Sequence, residues 1–325
     1  TGRTEVANGG TVGTDLNGKH AIVCENNDMN VSIANGAAPK VLTFNVPSWV
    51  QGNTNNNGIK YEYYTHTVTS GALTGDARLV KQGDGILNLP AVEMTHTGNT
   101  DIWAGKVNFD GSMKNSSLWL NRFAELNSNG GQFRSIKMDY ASVLRPGNAG
   151  SKGEITVDTL DINFGSVVEF DIYNTGTLAD VVKTKHISVE AKNWTYGPEY
   201  LTPVWRFNLQ DGTELSDGSY LIAEAETIDG SLGDIKIEGT GGKKCSLKHE
   251  GGKIYLVIEG VRDASLVVWT GMQSGIWNYA ADMNFSNNGD ASYFVENDKV
   301  NFTDEAQNFN VELTGDLPSD TIFVD

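Results

Sequence analysis

The sequence predicts an all-β fold, and three observations carry that prediction. Glycine and asparagine number 37 and 31 in 325 residues, against 7 prolines. Such a composition is poor for helices and suited to tight turns. Asn-Gly or Asp-Gly pairs recur eleven times, from Asn8-Gly9 to Asn288-Gly289. These pairs tolerate the positive φ that sharp chain reversals require. Between the turns the apolar residues alternate with a period of two, which puts one face inward and one outward, as in a half-buried strand.

Along the chain the strand signals fall in order. Asn30-Val-Ser-Ile33 and Phe44-Asn-Val46 flank Pro39 near the start, and Leu79–Leu89 follows. The stretch Leu120–Leu126 is the nearest approach to helical spacing, but it is short and ends in Asn-Ser-Asn-Gly. Ile155, Val157, Leu160, Ile162 and Phe164 form the longest alternating run, and Val168, Phe170 and Ile172 the next. Ile187/Val189, Ile235/Ile237, Cys245/Leu247, Leu256/Ile258 and Val311/Leu313 continue the pattern. Strands of about four to seven residues are expected, compatible with a sandwich, a propeller or a β-solenoid. In a solenoid the coils must stack to bury their inner faces. At about 20–25 residues per coil and ~4.8 Å per step, the chain would make about 13–16 coils and a rod of roughly 60–75 Å. Residues 1–325 are read as one continuous module. Asn310-Val-Glu-Leu313 and Ile322-Phe-Val324, around Pro318, echo the first two segments at an offset of about 280 residues. A segment cut from a larger protein, with further domains covalently attached, is therefore expected.

The segment 79–109 is the most distinctive. It reads Leu79-Val-Lys-Gln-Gly83-Asp-Gly85-Ile-Leu-Asn-Leu89, then Thr95-His-Thr-Gly98-Asn-Thr100-Asp-Ile102, then Gly105-Lys-Val107. This resembles the autotransporter-associated β-strand repeat, with His96 in the usual Tyr place and Val107 in the final Leu place. Residues 269–302, with Trp269, Gly271, Trp277, Phe285 and Val300-Asn-Phe302, are similar to the Trp-rich coil that accompanies such repeats. The resemblance implies a right-handed parallel β-helix in a secreted or surface-exposed bacterial protein, and it brings no catalytic residues. Physically, Gly83, Gly85, Gly98 and Gly105 suit corners where coils approach closely. Leu79, Leu87, Leu89, Ile102, Val107 and Phe109 suit the core, while Lys81 and Asp84 are read as solvated.

Several functions are excluded or disfavoured. A net charge of −17 opposes nucleic-acid binding, which depends on Lys and Arg displacing phosphate counterions. No apolar run reaches the ~18–20 residues of a membrane span, and no N-terminal segment reads as a signal peptide. His20, His66, His96, His186 and His249 show no metal-ligand spacing. No nucleophile elbow or phosphate loop is present. Cys24 and Cys245 are read as buried free thiols, with a disulfide between them as the alternative in an oxidising compartment. Arg122, Arg134 and Lys137 form the one modest basic cluster near aromatics, and the overall charge weighs against a lyase acting on acidic polysaccharides.

Two candidate sites remain. Exposed aromatics can stack on sugar faces, so Trp194, Tyr196 and Tyr200 in a polar insertion, and Tyr61, Tyr63 and Tyr64 after an Asn-rich loop, are candidate glycan contacts. Asn284, Asn287 and Asp290 gather oxygen donors on one short loop and are candidate Ca²⁺ ligands, although no known calcium-loop spacing is met. The expected function is a non-enzymatic, adhesin-like module of a bacterial surface or secreted protein, in contact with a glycan or another cell-surface component. The alternative is a carbohydrate-active protein, by analogy of fold alone.

Overall fold

A computed structural model describes residues 2–51, 60–148, 151–173, 178–191, 202–210 and 215–324. Among these residues there are strands and two short 3-10 turns, and no α-helix. The chain visits two long sheets in alternation. It begins with β1 (Arg3–Glu5) and β2 (Thr11–Val12), then β3 (His20–Val23) and β4 (Met29–Ile33). Next comes β5 (Val41–Asn45), a side hairpin of β6 (Ser48–Gln51) and β7 (Lys60–Tyr63), and β8 (Thr65–Ser70). The pairs β9 (Arg78–Gln82) and β10 (Ile86–Asn88), β11 (Thr100–Ile102) and β12 (Gly105–Asn108), and β13 (Ser112–Leu120) and β14 (Ala124–Ser128) follow. After β15 (Gln132–Met138) and β16 (Val143–Asn148) come β17 (Ser151–Lys152), β18 (Glu154–Asn163), β19 (Val167–Tyr173) and β20 (Leu178–Ala179). The stack continues with β21 (Val181–Glu190) and β22 (Val204–Leu209), then β23 (Gly218–Asp229) and β24 (Lys236–Glu238), and ends in a hairpin of β25 (Lys243–Glu250) and β26 (Lys253–Val261).

The first sheet runs β1-β3-β5-β9-β11-β13-β15-β18-β21-β23-β26-β25, and the second β2-β4-β8-β10-β12-β14-β16-β19-β22-β24. Along β1 to β23 and β2 to β24 every neighbouring pair is parallel. Among the described residues ten circuits form over residues 3–238, and residues 266–324 add further parallel strands, described below. Nine steps of about 4.8 Å give a stack of roughly 43 Å. Insertions lengthen some circuits. Thr100 pairs with Leu118, and Leu118 with Ile136, but Val41 pairs with Arg78 across the β6–β7 hairpin, and Ile187 with Ile228.

Stacked in register, the inward residues make continuous apolar rows. Leu87, Val107, Leu126, Leu144, Val168 and Trp205 succeed one another through the second sheet, all buried. Each fully buried large apolar side chain contributes about 1.5–3 kcal/mol, so the repetition itself supplies the core. The expected strand runs 155–164, 168–172, 187–189 and 256–258 are present with their apolar residues inside, except that Phe164 falls in the turn after β18 and is only half-buried.

The corner glycines of segment 79–109 behave as close-approach positions. A Cβ on Gly98 would lie 2.3 Å from the Ala77 carbonyl oxygen. Gly105 has φ +68° and would meet the Gly85 oxygen at 2.5 Å. Lys81 corrects the sequence reading. It is 1 % exposed rather than solvated. Its Nζ donates to the carbonyls of Gln82 (3.1 Å), Gly83 (2.5 Å) and Ala104 (2.9 Å), tying one corner to the next circuit. Burial pushes its pKa down to about 7, while three carbonyl oxygens match the three N–H bonds of the ammonium.

Beyond β26 a second unit begins. It comprises β27 (Leu266–Trp269), β28 (Ile276–Trp277), β29 (Phe285–Asn287), β30 (Asp290–Ser292), β31 (Lys299–Phe302), β32 (Glu312–Leu313) and β33 (Thr321–Val324). The orders are β30-β29-β27-β31-β33 and β28-β32, with β27–β31–β33 and β28–β32 parallel. Its core is separate: Val267, Trp269, Trp277, Phe285, Phe294 and Val300. Asn288 and Gly289, both at positive φ, close the β29–β30 hairpin as an Asn-Gly pair should. The two segments that echo each other in sequence form β4–β5 and β32–β33. Leu313, expected inside, is 65 % exposed. Neither cysteine is bonded. Cys24 is exposed rather than buried, and Cys245 is half-buried on β25.

Candidate functional site

The corner between β13 and β14 repeats in the following circuits. Residues 121–124, 139–142 and 163–166 each form a turn in which the fourth N–H donates to the first carbonyl: Ala124 to Asn121, Ser142 to Asp139, Ser166 to Asn163. The third residue of each turn has positive φ: Phe123 at 61°, Ala141 at 55° and Gly165 at 68°. This is the position of a type II turn that selects glycine. A phenylalanine there carries strain of about 1–3 kcal/mol, and Phe123 is 70 % exposed, so packing does not offset it. Among the described residues its one ring neighbour is Tyr140, edge-on with centroids 6.2 Å apart.

Phe123 is one wall of a groove of about 350 Å³ on the second sheet. The other wall is Tyr63, the exposed end of the β6–β7 hairpin. Asp84, Ile86, Gly105, Lys106 and Glu125 complete the lining. Gly105 keeps the floor low between the aromatics. The floor charges begin an ion-pair ladder that climbs the outer face of the second sheet. Lys106 Nζ meets Glu125 Oε1 at 2.9 Å, and Arg145 bridges Glu125 and Glu169. Arg206 then joins Glu169 (2.8 Å) to Glu238 (3.0 Å). Lys236 meets Glu238 at 2.9 Å and reaches toward Asp290 of the second unit at 3.9 Å. Burial pushes the Glu169 carboxyl up, but hydrogen bonds and charge from Arg145 and Arg206 outweigh it and hold its pKa below the usual carboxylate range. Asp158 is likewise engaged, by Lys185 at 2.7 Å.

The aromatic candidates separate. Tyr63 stands in the groove. Tyr64 packs against the stack core and accepts the Ile86 N–H through its carbonyl. The Tyr61 backbone pairs with Val50 in the hairpin, and its side chain lies outside the described residues, as do Trp194, Tyr196 and Tyr200. In the oxygen-donor loop the Asn284 amide is engaged by its own neighbours. The Asn284 amide accepts from the N–H groups of Gln273 (2.9 Å) and Ser274 (2.8 Å). It donates to Ser274 Oγ and the Ile276 carbonyl, both at 2.7 Å. It braces the 273–276 loop. Asn287 and Asp290 face each other across the β29–β30 hairpin. Among the described residues no three His, Cys, Asp or Glu side chains gather closely enough to hold a metal ion.

Sequence reading missed Phe123 as a site residue. A signal existed: an Asn or Asp two residues before Phe123, Ala141 and Gly165, marking one repeated turn. Comparison with known proteins adds no assignment, since no family model and no curated protein matches the chain.

Proposed function

We propose that this chain is a right-handed parallel β-helical module, of the autotransporter-associated repeat type, from a secreted or surface-exposed bacterial protein. Its role is non-enzymatic: it presents a rigid ladder whose Tyr63–Phe123 groove holds a neutral glycan. The reading rests on one observation, an exposed phenylalanine kept in a strained glycine position opposite an exposed tyrosine across an open groove. Two aromatic faces and a charged, hydrogen-bonding floor suit a sugar ring, with its apolar faces and hydroxyl rim. On that floor Glu125 is held by Lys106 and Arg145. Alternation of the two parallel sheets and the close-packed glycine corners support the helical reading.

The test is a pair of substitutions. Phe123→Gly relieves the turn strain and raises the melting temperature, while weakening binding of cello- or xylo-oligosaccharides about tenfold, a loss on the order of 1.4 kcal/mol. Tyr63→Ala weakens binding similarly without stabilising. Unaltered affinity in both variants, or no affinity of the parent for neutral oligosaccharides, overturns the groove. Release of reducing ends during incubation overturns the non-enzymatic role.

A further inference from the structure

We infer that the outer face of the first sheet carries a second binding site, selective for a carboxylated polysaccharide such as a chain of uronic-acid units. It rests on the reading that this exterior meets glycans, but not on the Tyr63–Phe123 groove. The site is a groove of about 220 Å³ lined by Arg3, His20, Thr43, Arg78, Gln82 and Trp103, among others. Arg3 pairs in register with His20, His20 with Val41, and Val41 with Arg78, so the basic side chains form one column across successive strands. Trp103 follows β11, one step beyond Gln82. From β1 to β11 is four strand steps, about 19 Å, a length for several sugar units laid across the strands.

Three features choose the ligand. The first is Arg78. Its Nε donates to Asp101 Oδ2 at 2.6 Å, and the Asp101 carboxylate is almost fully buried. That bond orients the guanidinium and neutralises the buried acid. Among the described residues no second acceptor engages Arg78, so its two terminal nitrogens are available, in the fork geometry that suits a carboxylate. The second is Trp103, an indole 50 % exposed at the groove's end, which offers a flat face for the apolar side of a sugar. The third is charge. Residues 1–110 contain seven basic and ten acidic side chains, a net of −3, leaving −14 for residues 111–325. The repulsion that opposes anions over most of the molecule is weakest here. Glu5, two residues from Arg3 on β1, is a nearby acid that no ion pair engages among the described residues. Thr43 and Gln82 add hydrogen-bonding groups suited to hydroxyls, which an acidic peptide would not need.

The experiment is calorimetric titration of the full chain with oligogalacturonate. Three controls are the same oligomer with its carboxyls reduced to alcohols, poly-glutamate, and a neutral cello-oligosaccharide in excess. Oligogalacturonate is expected to bind at low ionic strength and to weaken as salt is added. The reduced oligomer and poly-glutamate should bind at least tenfold more weakly, and the neutral oligosaccharide should not displace it. Arg3→Gln and Trp103→Ala, both at exposed positions, should each lower affinity about tenfold with melting temperature unchanged. Arg78→Lys, which keeps the charge opposite Asp101 but loses the fork, should do the same. No binding of oligogalacturonate, equal binding of poly-glutamate or the reduced oligomer, or unchanged affinity in these variants overturns the site. Displacement by the neutral oligosaccharide assigns any binding to the Tyr63–Phe123 groove and also overturns it. Failure of neutral glycans to bind at all leaves this test intact.

Discussion

The long stack and the C-terminal unit solve one problem in two ways. Both place parallel strands alternately in two sheets, so both must bury an inner face that no single circuit can cover. The stack does so by repetition. Aliphatic rows run through successive circuits, and its charges are strung along the outside as a ladder of partly exposed pairs. The C-terminal unit is small and concentrates its stabilisation. Trp269, Trp277, Phe285, Phe294 and Phe302 pack mostly edge-on or tilted, with centroids 5.1–6.0 Å apart. One buried ion pair, Arg262 to Asp298, closes the base of the unit. Arg262 Nη1 and Nη2 donate to the two Asp298 oxygens at 2.7 and 2.6 Å. Asp298 also accepts the N–H groups of Ser265 and Val295, both at 2.8 Å. Long arrays spread their stability over many equivalent contacts. A short one depends on a few contacts that cannot be replaced.

Three measurements would break or sharpen that contrast. Asp298→Ala strands the buried Arg262 guanidinium, and removing one partner of such a pair costs about 3–5 kcal/mol. Calorimetry should show the C-terminal unit melting early while the stack transition stays in place. A single transition shifted as a whole would mean that the two units do not unfold separately. Gly98→Ala should cost about 1–3 kcal/mol, because the new Cβ must displace the Ala77 backbone rather than a flexible side chain. Hydrogen exchange should localise the loosening to the circuits around β9 and β11, and protection lost evenly along the stack would refute local unfolding. Glu169→Gln removes one rung of the ladder and should cost about 1 kcal/mol, since its arginine partners are partly exposed. This loss should shrink in high salt. The pH sign follows from its depressed pKa. The unfolded carboxyl titrates near 4.5. The stabilisation is therefore complete above that value and is lost as pH falls through the lower folded value. Parent and variant should converge in acid, and a gap that widens below pH 4 would contradict the ladder's role.

Much of this was legible in the sequence, and for stated reasons. Alternation is a local property, so the strands 155–162 and 168–172 could be read directly, and Asn288-Gly289 announced its hairpin. Gly98 and Gly105 could be read as close-approach corners because glycine has few other uses at such spacing. Lys81 was misread because lysine is ordinarily solvated, and no local signal shows three carbonyls converging on one ammonium. The length of each circuit was not legible, because an insertion such as the β6–β7 hairpin looks, in sequence, like any other pair of strands. Tyr63 was legible as an exposed aromatic, but its partner Phe123 was not, since the groove joins residues sixty positions apart.

By itself the sequence determined the class of fold, the position of most strands and the acidic exterior, because turn chemistry, period-two burial and net charge are properties of neighbouring residues. The tertiary structure alone decided which strands stack on which, and therefore which side chains share a column. Parallel register brings Arg3, His20 and Arg78 into line, and links Lys106 to Asp290 through a chain of ion pairs. It also turns a phenylalanine in a glycine position into the wall of a groove. Those columns depend on the length of every intervening loop, a sum over the whole chain that no local pattern encodes.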